Sequence, residues 1–182
     1  MEILERTSTN RVTLRLQNDI LEILKREAFK KDLTLNAFIN KILNKDVTYE
    51  ENVNAILNVV FPHDLFLLIM EKLGESDLKE LAEQGPRIVK KLFNIIGMQY
   101  DIEHLIHSYF VVLGKYCNWF EFSFKVSGSK YRLVFSTNST QKWIQFLQLY
   151  IKSILESMKI IITNESQHDG ILVFEFSYKN YN

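Results

Sequence analysis

The sequence predicts an α+β protein with a short N-terminal strand, a helical middle segment and a C-terminal antiparallel sheet that helices cover on one face. Three patterns lead to this prediction. Apolar and polar residues alternate over 11–16, amphipathic helical spacing fills much of 18–116, and the alternation returns twice after residue 118. These changes of pattern place domain boundaries at 1–48, 49–98 and 99–182. An apolar content of 47% is ample for a core.

The N-terminal strand, residues 11–16, has two chemically different faces. Val12, Leu14 and Leu16 lie on one face. The members of the other face are Arg11, Thr13 and Arg15. One interpretation is an ordinary edge strand with a solvated face, because arginines often occur there. A six-residue strand is unstable without pairing, however, so we expect it to pair with the same strand of a second copy.

Two amphipathic helices follow the strand. The first is predicted over 18–31 and the second over 34–44, with a short turn at 31–33 between them. Thr34 is the expected N-cap of the second helix, because its hydroxyl can accept a hydrogen bond from the first turn. Asp32 occupies the turn and tolerates left-handed backbone better than most residues.

In the order and spacing of these elements, residues 11–45 resemble a ribbon-helix-helix DNA-binding domain of the Arc/MetJ/CopG type. The resemblance implies a homodimeric, sequence-specific transcriptional regulator, a repressor in the cytoplasm at the nucleoid, whose two-stranded ribbon enters the major groove of double-stranded DNA. It assigns base contacts to Arg11, Thr13 and Arg15, and phosphate contacts to Thr34 and the backbone amides of Leu35 and Asn36. Many members have glycine in the turn where this chain has Asp32.

The charge of the chain is unevenly distributed, although the total is zero. Residues 11–45 contain eight Lys/Arg against four Asp/Glu, which gives +4. Residues 49–110 contain five against ten, which gives −5, and residues 111–182 contain eight against five, which gives +3. We therefore expect the N-terminal segment to face DNA and the acidic middle to face away from it.

The middle segment, 49–98, reads as several short helices that act as a linker or dimer spacer. Pro62 can open a helix that ends near residue 73, and Ser76 can cap a second helix over 77–84. Pro86 suits the first turn of a third helix that ends near Gly97. A fourth helix, over 101–116, begins the last domain.

The last domain has the predicted order α-β-β-α-β-β, which indicates an internal duplication. The first hairpin pairs 120–126 with 131–136, and the second pairs 159–163 with 171–178. An amphipathic helix over 140–158 separates them. Regulators commonly append such a domain to sense a small-molecule effector or to oligomerise, and both alternatives remain open.

Candidate chemistry beyond DNA is sparse. His104 and His107 are weak metal candidates because they lie three residues apart on a helix and lack a convincing third ligand. Cys117 is the only cysteine, and no nucleophile with a base or phosphate-binding loop is evident, so we predict no enzyme, metal or cofactor. Six aromatic side chains could line an apolar ligand pocket or simply form the core. They are Trp143, Phe146, Tyr150, Phe120, Phe122 and Phe124.

Two alternative functions remain. The N-terminal domain could dimerise only, as in an antitoxin-like protein-interaction module, or the C-terminal domain could make the chain a metal-responsive regulator. We find no signal peptide at the N-terminus and no apolar run of membrane-spanning length, so we expect no membrane association.

Overall fold

The computed structural model describes residues 10–47 and 62–178. The chain forms two compact units, Met1–Asp46 and Val47–Asn182. Each unit is described by itself below.

The first unit contains two helices, α1 (Asn18–Lys30) and α2 (Leu35–Lys45), as the sequence predicts. Asp32 in the turn between them has a φ of 51°, the left-handed conformation that aspartate tolerates. Residues 10–17 are neither helix nor strand in the single chain. A ribbon needs a second chain, so the strand over 11–16 stays a prediction.

The second unit begins with three short helices, α3 (His63–Lys72), α4 (Glu75–Glu83) and α5 (Gly85–Ile95). The expected cap of α4 at Ser76 is wrong. Gly74 precedes the helix, and its backbone N–H donates to Asp77 Oδ2 at 2.7 Å. The carboxylate three residues along the chain therefore fixes the start of α4.

The rest of the second unit follows the predicted α-β-β-α-β-β order. Helix α6 covers residues 102–115 and has a π-helical middle, Leu105–Phe110, between Ile102–His104 and Val111–Lys115. The elements after it are β1 (Glu121–Ser127), β2 (Lys130–Ser136), α7 (Gln141–Ser157), β3 (Ile162–His168) and β4 (Ile171–Ser177).

The four strands form one antiparallel sheet in the order β1-β2-β4-β3. Strands β2 and β4 are central, with Leu133 opposite Phe174, and β1 and β3 are the edges. Leu133, Phe135 and Phe174 are buried on the face that the helices cover, whereas Arg132 on the opposite face is exposed. The described chain is therefore an α+β fold, as predicted.

The two halves of the sheet repeat at a constant offset of 41 residues. Adding 41 to the bounds of β1, 121–127, gives those of β3, 162–168, and adding it to β2, 130–136, gives β4, 171–177. The two-residue turns correspond as well, and both use left-handed residues, Gly128 in one and Asp169 with Gly170 in the other. This repeat supports the predicted internal duplication.

Strand β3 lies later in the chain than the predicted strand over 159–163. Lys159 has a φ of 60° and lies just after α7, so the chain is still turning there. The actual strand is polar at every position after Ile162, and most of these residues are exposed. The expected apolar alternation is therefore absent from it.

The predicted linker is part of the core of the second unit. Met70, Leu78 and Phe93, which come from α3, α4 and α5, belong to one cluster of buried residues with the sheet residues. Helix α7 packs on α3–α5 with one side and contacts β3 with another. The boundary expected at 98/99 thus falls inside one compact unit.

Candidate nucleic-acid interface

The three side chains with predicted base contacts, those of Arg11, Thr13 and Arg15, are all exposed. Neither arginine forms an ion pair with a carboxylate in the described part of the chain. By contrast, three cations of α1 lie beside acidic neighbours: Lys25 beside Glu22, and Arg26 and Lys30 beside Glu27. Arg11 and Arg15 therefore keep their hydrogen-bond donors available for a ligand.

The pKa of the Glu27 carboxyl on α1 is changed by the neighbouring Lys30. The Lys30 ammonium donates to Glu27 Oε1 at 2.8 Å. This hydrogen bond, with nearby positive charge, lowers the pKa of Glu27 below its usual value. Glu27 therefore stays ionised to lower pH than an isolated glutamate, as the partner of Lys30 in an exposed ion pair.

The alternating apolar side chains of 11–16 are exposed as well. Val12 is 75% exposed, Leu14 53% and Leu16 39%. Large apolar side chains on both helices share this exposure: Ile20, Ile23, Phe29, Ile42 and Leu43. Ala28 is the only fully buried residue among the described residues of this unit. The single chain therefore gives this unit almost no core.

The start of α2 has the geometry that the sequence predicts. Thr34 is the N-cap, and its Oγ1 accepts a hydrogen bond from the Ala37 backbone N–H at 3.1 Å. The first bond of the helix itself runs from the Phe38 N–H to the Thr34 carbonyl. The helix supplies no acceptor for the N–H groups of Leu35 and Asn36, so both point out of its N-terminus. Their predicted role in holding phosphate stays a prediction.

The two histidines proposed as weak metal ligands have different surroundings. His104 Nδ1 lies 2.8 Å from Asp101 Oδ2, and the ring of His107 packs edge-on against Phe124 at 5.1 Å. Within 10–47 and 62–178, no group of three or more His, Cys, Asp or Glu side chains is placed to hold a metal ion.

The aromatic residues proposed to line a pocket pack against one another. Trp143 stacks on Phe146 at 5.3 Å, and Phe146 stacks on Tyr150 at 5.4 Å. Trp143, Tyr150 and Phe120 are at most 5% exposed and belong to the core cluster. For five of the six rings the structure supports the core, whereas Phe124 is 37% exposed.

Sequence reasoning missed one buried polar contact in that core. The hydroxyl oxygens of Tyr109 and Tyr150 lie 2.5 Å apart, and burial raises the pKa of Tyr150 to about 12. Burial also raises the pKa of Tyr109. Their separation of 41 residues is the repeat offset, so a search for the duplication could have paired them.

Comparison of the chain with protein-family models, with curated proteins and with solved structures finds no match. Among the described residues, no helix combines the length and the apolar character needed to cross a membrane.

Proposed function

We propose that this protein is a homodimeric, sequence-specific DNA-binding transcriptional regulator. In this proposal residues 11–16 of two copies pair as an antiparallel ribbon that enters the major groove. The second unit carries an effector-sensing or oligomerisation role. The observation that carries the proposal is the nearly coreless N-terminal unit, whose exposed apolar side chains alternate with exposed arginines.

The exposed apolar surface favours a second copy as its cover. Burial of apolar surface stabilises a fold by about 25 cal/mol per Å². Helices α1 and α2 together bury only Ala28, so they gain little stability from burial in the single chain. Pairing two copies of 11–16 would place Val12, Leu14 and Leu16 of both copies on one side of the ribbon, against the apolar sides of α1 and α2. Folding and dimerisation of this unit would then be one event.

The same alternation leaves three side chains per copy on the opposite side of the ribbon, where they can meet base edges. The major groove admits a two-stranded ribbon, and an arginine there can donate two hydrogen bonds to O6 and N7 of guanine. Within the described residues, Arg11 and Arg15 have no carboxylate partner, which supports this role because no ion pair there must be broken for them to bind.

The capped start of α2 supports a phosphate contact beside the ribbon. The free N–H groups of a helix N-terminus and its positive dipole end attract an anion. Thr34 Oγ1 accepts from Ala37 and still has its own proton to donate. Such contacts position a protein on DNA without reading its sequence.

The experiment begins with selection of bound DNA from a random library by the full chain. Two related half-sites in the consensus are expected, because a dimer reads both. Arg11→Ala and Arg15→Ala should each weaken binding to that consensus by about 1–3 kcal/mol, or roughly 5- to 150-fold, and relax the base preference at one position in each half-site. Gel shift or fluorescence anisotropy at fixed salt measures the loss.

Arg26→Ala is the matched control. It removes an exposed arginine of the same unit that lies beside Glu27 on α1. Its effect should be small and equal for all DNA sequences. Selection of no consensus, or equal losses for all three variants, would refute the proposed base contacts.

Leu14→Asp tests the ribbon itself. A carboxylate inside the dimer core should abolish binding to the consensus, while the fluorescence of Trp119 and Trp143 shows that the second unit stays folded. Full DNA affinity in this variant would refute the proposed pairing.

A further inference from the structure

The two edge strands of the sheet differ in how open they are to further pairing. β3 has a break in register between Ile162 and Asn164, and its later residues are polar. β1 pairs with β2 over all seven residues without a break. An edge strand exposes unpaired N–H and C=O groups, and proteins commonly block such edges with bulges. β1 has no bulge and no proline, so its edge can accept another strand.

An apolar strip runs along the β1 edge. Phe122, Phe124 and Val126 point to the helix-covered face, yet Phe124 is 37% exposed and Val126 44%. Phe124 stacks on Phe122 at 5.8 Å and meets His107 edge-on. A strand added at this edge would bury this strip and satisfy the backbone groups beside it.

The sequence of β1 is complementary to itself in one antiparallel register. With Ser123 on a twofold axis, Phe122 lies opposite Phe124 of the second copy, and Glu121 lies opposite Lys125 of the second copy. A shift by one residue would place phenylalanine opposite serine. The register centred on Phe124 would place Glu121 opposite Ser127, which loses the charge pair.

The charges near β1 favour the same register. Lys125 lies directly opposite Arg132 of β2, a like-charge pair that is unfavourable in a sheet. Arg132 Nη1 bonds to Glu175 Oε1 at 2.5 Å, and within the described residues Lys125 has no carboxylate partner. Glu121 of a second copy would supply that partner.

We propose that two copies of this chain join through β1 about a twofold axis at Ser123, so that two four-stranded sheets become one eight-stranded antiparallel sheet. This interface does not depend on DNA binding. A seven-residue edge is small beside the roughly 1,600 Å² of a typical stable interface. The pairing is therefore weak alone and becomes strong where another contact already holds the two copies together.

The experiment is a cysteine cross-link in the full chain with Cys117→Ala. Directly opposite residues of an antiparallel pair have Cα atoms about 4.5–5.5 Å apart, which a disulfide can bridge. Ser123→Cys should therefore give a covalent dimer on a non-reducing gel under mild oxidation. Ser166→Cys, an exposed serine on the β3 edge, is the matched control and should stay uncross-linked.

A charge reversal tests the register. Adding Glu121→Lys to Ser123→Cys creates two like-charge pairs and should slow cross-linking about tenfold. Adding Lys125→Glu as well restores opposite charges and should restore the rate. Both side chains are exposed, and tryptophan fluorescence checks that each variant is folded. Absence of the Ser123→Cys cross-link, an unchanged rate with Glu121→Lys, or no recovery in the double reversal would overturn the proposal.

Discussion

Truncation of Phe93 tests whether α5 is part of the core of the second unit or a spacer beside it. The side chain of Phe93 is fully buried, and its ring meets Tyr100 at 5.8 Å and Tyr109 at 6.3 Å in edge-to-face geometry. Truncation of a buried Phe to Ala typically costs 3–5 kcal/mol of stability. Loss of the aromatic pairs adds to this cost. We expect Phe93→Ala to lower the free energy of unfolding by about 4 kcal/mol.

Urea unfolding followed by tryptophan fluorescence measures this loss. Both tryptophans of the chain, Trp119 and Trp143, lie in the second unit, far from Phe93 in sequence. With a urea dependence of about 2 kcal/mol per M, the midpoint should fall by about 2 M. Because the tryptophans report the sheet and α7, they move only if α5 unfolds together with these elements.

Ile88→Ala is the control on the same helix. Ile88 is 55% exposed, so its truncation should cost less than about 1 kcal/mol. If Phe93→Ala shifts the midpoint no more than Ile88→Ala does, the reasoning is refuted, and α5 behaves as the spacer that the sequence suggested.

Two further predictions concern pH. Burial alone would raise the pKa of Glu165, but hydrogen bonds from Lys152 and Gln148 lower it below its usual 4.5. Its stabilising contribution is thus present above that value and lost as pH falls through the lowered pKa, so Glu165→Gln should flatten the loss of melting temperature in acid. The pKa of Tyr150 is raised to about 12, so wild type should lose about 2 kcal/mol of stability as pH rises from 10 to 12. Tyr150→Phe should lose less over the same range.

Each pH prediction can be refuted by a specific result. Glu80→Gln removes an exposed carboxylate from α4 and should keep the acid profile of wild type. A Glu165→Gln profile equal to that of Glu80→Gln would contradict the first prediction. For the second, a Tyr150→Phe profile that overlays wild type between pH 10 and 12 would show that the buried hydroxyl does not resist ionisation.

Features set by neighbouring residues could be predicted from the sequence. The bounds of α1 and α2 and the cap at Thr34 follow from local periodicity and local hydrogen bonds. The first hairpin, 120–126 with 131–136, was also predicted, because glycine favours the left-handed backbone that its tight turn needs. These interactions span only a few residues, which is why a single sequence reveals them.

Features set by distant residues could not be predicted. Leu78 is buried, partly because α7 packs against α4 more than 60 residues later, and no local pattern shows this. β3 has no apolar alternation to reveal it, and it is a strand through its pairing with β4. The proposed DNA interface is harder still to predict, since in the proposal its apolar and basic faces act only when two chains pair.

The order of elements along the chain has a consequence for synthesis. Helices α3–α5 are synthesised before α7, on which they pack. Helix α7 ends about 60 residues after α5. At 5–20 residues per second this leaves Met70, Leu78 and Phe93 without their main partner for about 3–12 s. Central strand β4 is made last of all, so β2 also waits for its second neighbour. The nascent chain therefore exposes apolar surface until translation is nearly complete. We expect chaperones that act at the ribosome to bind this surface.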